Sequence, residues 1–252
     1  MSFLIIAKNT FKQAIRDKIL YGILIFALLF IGSTIVLSSL SLGENVFVIR
    51  SFGLAGIYIF GLVITLFLGA SIVHDEVERK TSYLLLAKPV TRTDIINGKF
   101  LGLLISVGAT TLLMAGAYLA VVALNDGTFD YLVFWAVALQ LLEMAVLTGF
   151  LILFSVFTTP LAAIIYTILI LYIGHLLSLI REYALKSEEA SKYILIAVYY
   201  LFPNLEKFNI RNIIAHQLPI SPTEILLSTG YALIYTVLLL FIAKTLLNRK
   251  EF

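Results

Sequence analysis

From His74 to Phe100 the chain reads H-D-E-V-E-R-K-T-S-Y-L-L-L-A-K-P-V-T-R-T-D-I-I-N-G-K-F. This is its densest charged segment. Five basic residues (Arg79, Lys80, Lys88, Arg92, Lys99) and four acidic ones (Asp75, Glu76, Glu78, Asp94) surround a short apolar patch, Tyr83 to Ala87. Long hydrophobic runs flank it on both sides. A charged segment between two membrane helices points to a surface that meets another protein.

Local punctuation divides the segment into three. Its first part continues an apolar run and carries Glu76, Glu78, Arg79 and Lys80 out of the membrane. The Tyr83–Ala87 patch predicts a short lateral helix, which Pro89 stops because a residue before proline disfavours the helical region. Thr91 or Thr93 can then cap a new helix, with Asp94 favourably placed in its first turn.

The rest of the chain is strongly apolar. Of 252 residues, 61% are hydrophobic and 13% charged, with mean hydropathy +1.03. A soluble domain carries about 25% charged residues. The composition therefore predicts an all-α polytopic membrane protein embedded in a lipid bilayer. The net charge of +3 is not read as nucleic-acid binding, because in such a protein the distribution of Lys and Arg matters more than their sum. With no cysteine, disulfides, thiol chemistry and Cys-based zinc sites are excluded.

Runs of about 20 apolar residues, the length needed to cross the hydrocarbon, predict six spans: Ile19–Leu40, Phe52–Val73, Phe100–Leu124, Tyr131–Phe157, Leu161–Ile180 and Ile225–Leu247. Placing the N-terminus inside puts twelve Lys and Arg on inner segments and six on outer ones, so the expected topology is N-in, C-in. Residues 1–18 are expected to form an interfacial helix, with Lys8, Lys12 and Arg16 on one face beside an apolar stripe of Leu4, Ala7, Phe11 and Ile15. The alternative there is a simple inner tail. This N-terminus is not read as a cleavable signal, because the first apolar run continues well beyond a signal's length.

Residues 74–100 become the main inner loop, and residues 181–224 a long outer segment. The outer segment begins charged, runs apolar from Tyr193 to Phe202, and breaks at Pro203-Asn204. Ten apolar residues are too few to span, which predicts re-entrant or interfacial helices with aromatic residues at headgroup level. The alternative is a small exterior cap. The whole chain, residues 1–252, is read as one transmembrane domain.

Among single residues, Gln140 and Glu143 lie one turn apart in the fourth span and form a possible intramembrane polar site. An ionisable group at that depth is costly and should face protein or water. It marks either a substrate path or a buried interhelical hydrogen bond. The three histidines are scattered, and only His175 and His216 are expected to be able to meet. Gly98, Gly102, Ser106 and Thr110 form a small-residue stripe, Gly108, Gly116 and Ala120 a second, and Gly53, Gly56 and Gly61 thin the second span. Such stripes predict close helix packing, within the chain or between copies.

No phosphate-binding loop is present: Gly98-Lys99 is followed by Phe100, without an upstream Gly at the required spacing. No hydrolase or metalloprotease motif occurs either. No catalytic residue, cofactor or metal site is expected in this chain.

Glu78-Arg79-Lys80-Thr81, Leu84-Leu85-Leu86, Pro89-Val90-Thr91-Arg92 and Gly98-Lys99-Phe100-Leu101-Gly102 resemble the cytoplasmic loop of ABC type-2 transporter permeases. More narrowly, they resemble the permeases grouped with multicopper-enzyme maturation, although Lys80 stands where that group commonly has Gly. Pro203-Asn204-Leu205, Phe208-Asn209-Ile210-Arg211 and the ending Asn248 to Phe252 also resemble that group. The resemblance implies a permease subunit of a prokaryotic cell membrane, paired with a second permease copy, expected to be identical, and driven by separate ATPase subunits. Residues 74–100 would hold the coupling helix, with Glu78, Arg79, Tyr83, Leu84, Leu85, Lys88 and Arg92 as the ATPase contact. Two alternatives remain at this level. One is a mechanical or assembly subunit acting on an extracytoplasmic partner without moving solute. The other is an ion-coupled carrier using Glu143.

Overall fold

The computed structural model describes residues 2–40, 45–78, 91–126, 131–186, 189–216 and 218–249. These form nine α-helices and one 3-10 helix, and no strand occurs among the described residues. The helices are α1 (Ser2–Arg16), α2 (Lys18–Ser39), α3 (Asn45–Glu78), α4 (Arg92–Asp126), α5 (Leu132–Ser155), α6 (Pro160–Lys186), α7 (Glu189–Leu201), α8 (Arg211–Ala215) and α9 (Pro222–Arg249). The 3-10 helix, Leu205–Phe208, lies between α7 and α8. Six of these, α2 to α6 and α9, are long and apolar enough to cross a membrane.

Helix starts follow local chemistry. Asp17 caps α2 by accepting from the Ile19 N–H at 2.9 Å. Proline opens α6 and α9, where its missing N–H costs nothing. At α4 the cap is Thr91: the Asp94 N–H donates to Thr91 Oγ1 at 3.2 Å, and the Thr91 backbone N–H donates back to Asp94 Oδ2 at 3.3 Å. That is a reciprocal capping box with aspartate in the usual Glu/Gln position.

The central column is α5. Of its most apolar window 72% is buried, against 22% for α2, α6 and α9. It packs on α3, α4, α6 and α9, and the tight turn at 156–159 makes α5 and α6 neighbours. One apolar core, from Ala14 to Ala243, runs through the bundle. The outer helices turn large apolar side chains outward, among them Phe26, Tyr172 and Phe241, as lipid-facing surfaces do.

Span two starts earlier than expected. Residues 45–51 are already helical, and Arg50, expected in an outer loop, is buried in α3. The reason is that Val46 to Ile49 extends the apolar run across one charge. At the other end α3 continues without a break through Glu78.

The glycines resolve where the close packing lies. A Cβ at Gly53 would strike the Tyr118 ring of α4, one at Gly56 the Phe30 ring of α2, and one at Gly61 the Gln140 amide of α5. Helix α3 thus approaches three neighbours. Gly98 and Gly102 admit α1, whose Ile6 and Thr10 lie where their side chains would be. By contrast, Gly108 and Gly116 face open space.

Helix α1 departs from the expected two-faced pattern. Ala7, Thr10 and Ala14 are buried, with Ala7 and Thr10 packed on α4. Leu4 and Ile15 are exposed, beside the exposed Lys8, Lys12 and Arg16. The smallest residues pack against the glycines, so the apolar stripe divides between protein and lipid.

Candidate functional site

Of the expected coupling residues, Glu78 ends α3 and Arg92 begins α4. Arg79, Tyr83, Leu84, Leu85 and Lys88 lie outside the described residues, as does the Tyr83–Ala87 helix. Two helices of 34 and 35 residues therefore flank residues 79–91. Each is about 50 Å long at 1.5 Å per residue, well beyond the roughly 30 Å of hydrocarbon.

At the opposite end of α3, residues 203–216 pack into the bundle. Leu205, Phe208, Ile214 and Ala215 are buried, and His216 lies edge-on to Phe47 in the first turn of α3, with ring centroids 5.0 Å apart. The segment fits because α6 offers Gly174. A Cβ there would come within 2.7 Å of Leu205 Cγ and 2.8 Å of the Pro203 carbonyl oxygen. On its other side, α9 holds it: the Asn204 N–H donates to the Tyr231 hydroxyl at 2.9 Å, and Lys207 Nζ sits 4.6 Å from the Tyr231 ring centroid.

This insertion completes a polar ring. Tyr58 of α3 donates its hydroxyl to Glu143 Oε1 of α5 at 2.8 Å. His175 Nε2 of α6 lies 2.9 Å from Glu143 Oε1 and 2.9 Å from the Tyr58 oxygen. Its other nitrogen, Nδ1, lies 2.7 Å from Glu206 Oε2 in the 3-10 helix. Asn209 Nδ2 donates to Glu206 Oε1 at 3.0 Å, and Arg211 Nε donates to Asn209 Oδ1 at 2.9 Å. The Arg211 guanidinium then covers the Tyr58 ring, 3.6 Å from its centroid. Six residues on three helices and the inserted segment thus close on themselves.

The ring is graded in exposure: the Glu143 side chain is 1% exposed, His175 21% and Glu206 40%. Both imidazole nitrogens face carboxylate oxygens. An imidazolium satisfies this arrangement, as does a neutral ring with one protonated carboxyl. Either way two protons are shared among the imidazole and the two carboxyl groups.

Gln140 and Glu143 separate here. Gln140 Nε2 donates to the Ile57 carbonyl at 3.0 Å, in the space left by Gly61, so it ties α5 to α3 outside the ring. His175 and His216 do not meet, since His216 turns to Phe47 and its Nδ1 to the Asn212 carbonyl. Sequence reasoning missed Tyr58, His175, Glu206, Asn209 and Arg211 as a group. One signal was available: His175 is a polar residue inside a span, and the rule that singled out Glu143 covers it equally. Among the described residues no group of three or more His, Asp or Glu is arranged to hold a metal ion.

The sequence pattern of ABC-2 family transporter proteins matches residues 4–251. The chain belongs to the ABC-2 transporter family. The match covers nearly its whole length and agrees with six membrane-crossing helices. It makes the chain a multi-pass membrane subunit of an ABC transporter, of the kind that pairs with an ABC ATPase. Among curated proteins none matches it. In this ABC-2 subunit the polar ring thus takes Tyr58 from the interior of α3, twenty residues before Glu78 ends that helix.

Proposed function

We propose that this ABC-2 permease subunit takes force from a separate ATP-hydrolysing subunit at residues 78–92 and uses it to move substrate across or out of the membrane. The observation that carries this is the pair of unbroken helices, α3 and α4, that pack on each other and flank that connection in sequence. A push on it reaches the bundle along both. Glu78, Arg79, Tyr83, Leu84, Leu85, Lys88 and Arg92 are the proposed contact, on the cytoplasmic side of a prokaryotic cell membrane. A second, identical copy is the proposed partner within the membrane. The likeness of the Pro203-Asn204-Leu205 and Phe208–Arg211 runs to permeases grouped with multicopper-enzyme maturation supports that narrower class.

Charge reversal tests the contact. When the ABC-2 subunit carries Arg79→Glu together with Arg92→Glu, the ATPase is expected to be lost on affinity purification of the membrane complex. Unchanged association would overturn the assignment.

A second reading has one observation in its favour. A large apolar core of described residues reaches from α1 to α9, which suits a subunit that passes motion to an extracytoplasmic partner through α7 and α8 and moves no solute. Substrate-independent ATP turnover, with no transport by reconstituted vesicles, would favour it. A carrier reading built on Glu143 has less support, since Tyr58 and His175 already engage that carboxylate. Transport that persists in Glu143→Gln would remove it.

A further inference from the structure

The geometry points to a latch: the ring of Tyr58, Glu143, His175, Glu206, Asn209 and Arg211 holds residues 203–216 as a lid packed on α3, α5 and α6. The lid is separable from the bundle in a way that no spanning helix is. It consists of a four-residue 3-10 helix and a five-residue α-helix, too short to be stable by themselves. Its own apolar residues, Leu205 and Ile214, are fully buried only because it is inserted. What orients it is polar.

The ring joins lid and bundle at two points. His175 Nδ1 meets Glu206 Oε2 at 2.7 Å, and the Arg211 guanidinium lies on Tyr58. Everything else in the ring prepares those two joints. Glu143 and Tyr58 fix the imidazole from behind, and Asn209 ties Glu206 to Arg211 within the lid. Such a closed network is worth most when every member is satisfied, and losing one member leaves the others unpaired in a low-dielectric setting. It therefore has two preferred conditions, fully closed or released, rather than a continuum. Exposure rises from Glu143 to Glu206, so release begins at the exposed joint, His175–Glu206. Tyr231 remains as a tether on the α9 side.

This inference does not depend on an ATPase partner, and its test uses the full chain alone. The protein has no cysteine, so a single introduced thiol reports cleanly. Ala215→Cys places it in the lid at a buried position, and Ala27→Cys places one on α2, also buried. Each is combined with His175→Gln and, separately, with Glu206→Gln in detergent-purified protein, and the rate of reaction with a water-soluble maleimide is measured. When opening is fast, that rate tracks the population of the open form. Both ring variants are expected to speed modification at 215 by about tenfold while leaving position 27 at its original rate. An unchanged rate at 215 in either variant would overturn the latch. Equal acceleration at 215 and 27 would overturn it too, because that outcome describes general loosening of the bundle.

Discussion

Three positions apart on α5, Gln140 and Glu143 show how little the identity of a buried polar residue says about its task. Gln140 repairs helix contact by donating to a carbonyl of α3. Removing it in Gln140→Leu is expected to lower stability by about 1 kcal/mol, the usual worth of one interhelical hydrogen bond in a membrane, and a modest drop in thermal midpoint in detergent would show it. Glu143 has two partners and almost no exposure. His175→Ala leaves that carboxylate without its ring partner, and the cost is expected to be about 3 kcal/mol, visible as a much larger drop in the same melt. If the two variants melt alike, the ring has no special energetic standing. Glu143 was legible because an ionisable residue stands out within an apolar span. The far side of the ring was not, since Glu206 and Arg211 come from a segment beyond the next span, and no periodicity links position 143 to position 206. Only the close approach permitted by Gly174 brings them together.

At the scale of elements, helix existence was readable and helix faces were not. The spans follow from apolar length, the α4 cap from Thr91 and Asp94, and the α5–α6 hairpin from its short turn. The division of α1 into packed, lipid-facing and basic faces depends on which neighbour it meets, and the sequence pattern of one helix does not contain that. Two substitutions separate the roles of the small residues on α4. Gly102→Val puts a branched side chain where Thr10 and the Ala7 carbonyl already stand, within 2.6 Å of the first added carbon, and is expected to cost about 1–3 kcal/mol through overpacking. Gly116→Ala enters open space and is expected to be neutral or stabilising by up to about 1 kcal/mol from helix propensity. Chemical denaturation in detergent ranks them. The same reasoning on α6 predicts that Gly174→Ala dislodges Leu205 and Pro203, so that a reporter cysteine at Ala215 reacts faster although no polar group of the ring has changed.

Across the whole molecule, the polar ring and the proposed ATPase contact share α3. Tyr58 belongs to the ring and Glu78 ends the helix at the proposed ATPase contact, about 30 Å away at 1.5 Å per residue. An unbroken helix packed on α2, α4 and α5 is stiff enough to carry displacement between them. Distance alone does not establish coupling, though, and each end must bias the same two-state element. Tyr58→Phe isolates the question. It removes the hydroxyl that meets Glu143 and His175 while keeping the aromatic face under Arg211. With the ATPase-bearing complex in proteoliposomes, this variant is expected to keep full ATPase association but to shift ATP turnover severalfold, because the element being driven has lost part of its restraint. Arg79→Glu with Arg92→Glu should do the opposite, abolishing association while a cysteine at Ala215 keeps its slow reaction with maleimide. If Tyr58→Phe leaves turnover untouched while that cysteine reacts faster, the lid opens without communicating with the far end of α3. The ring would then be a lock on the fold and not a step in the transport cycle.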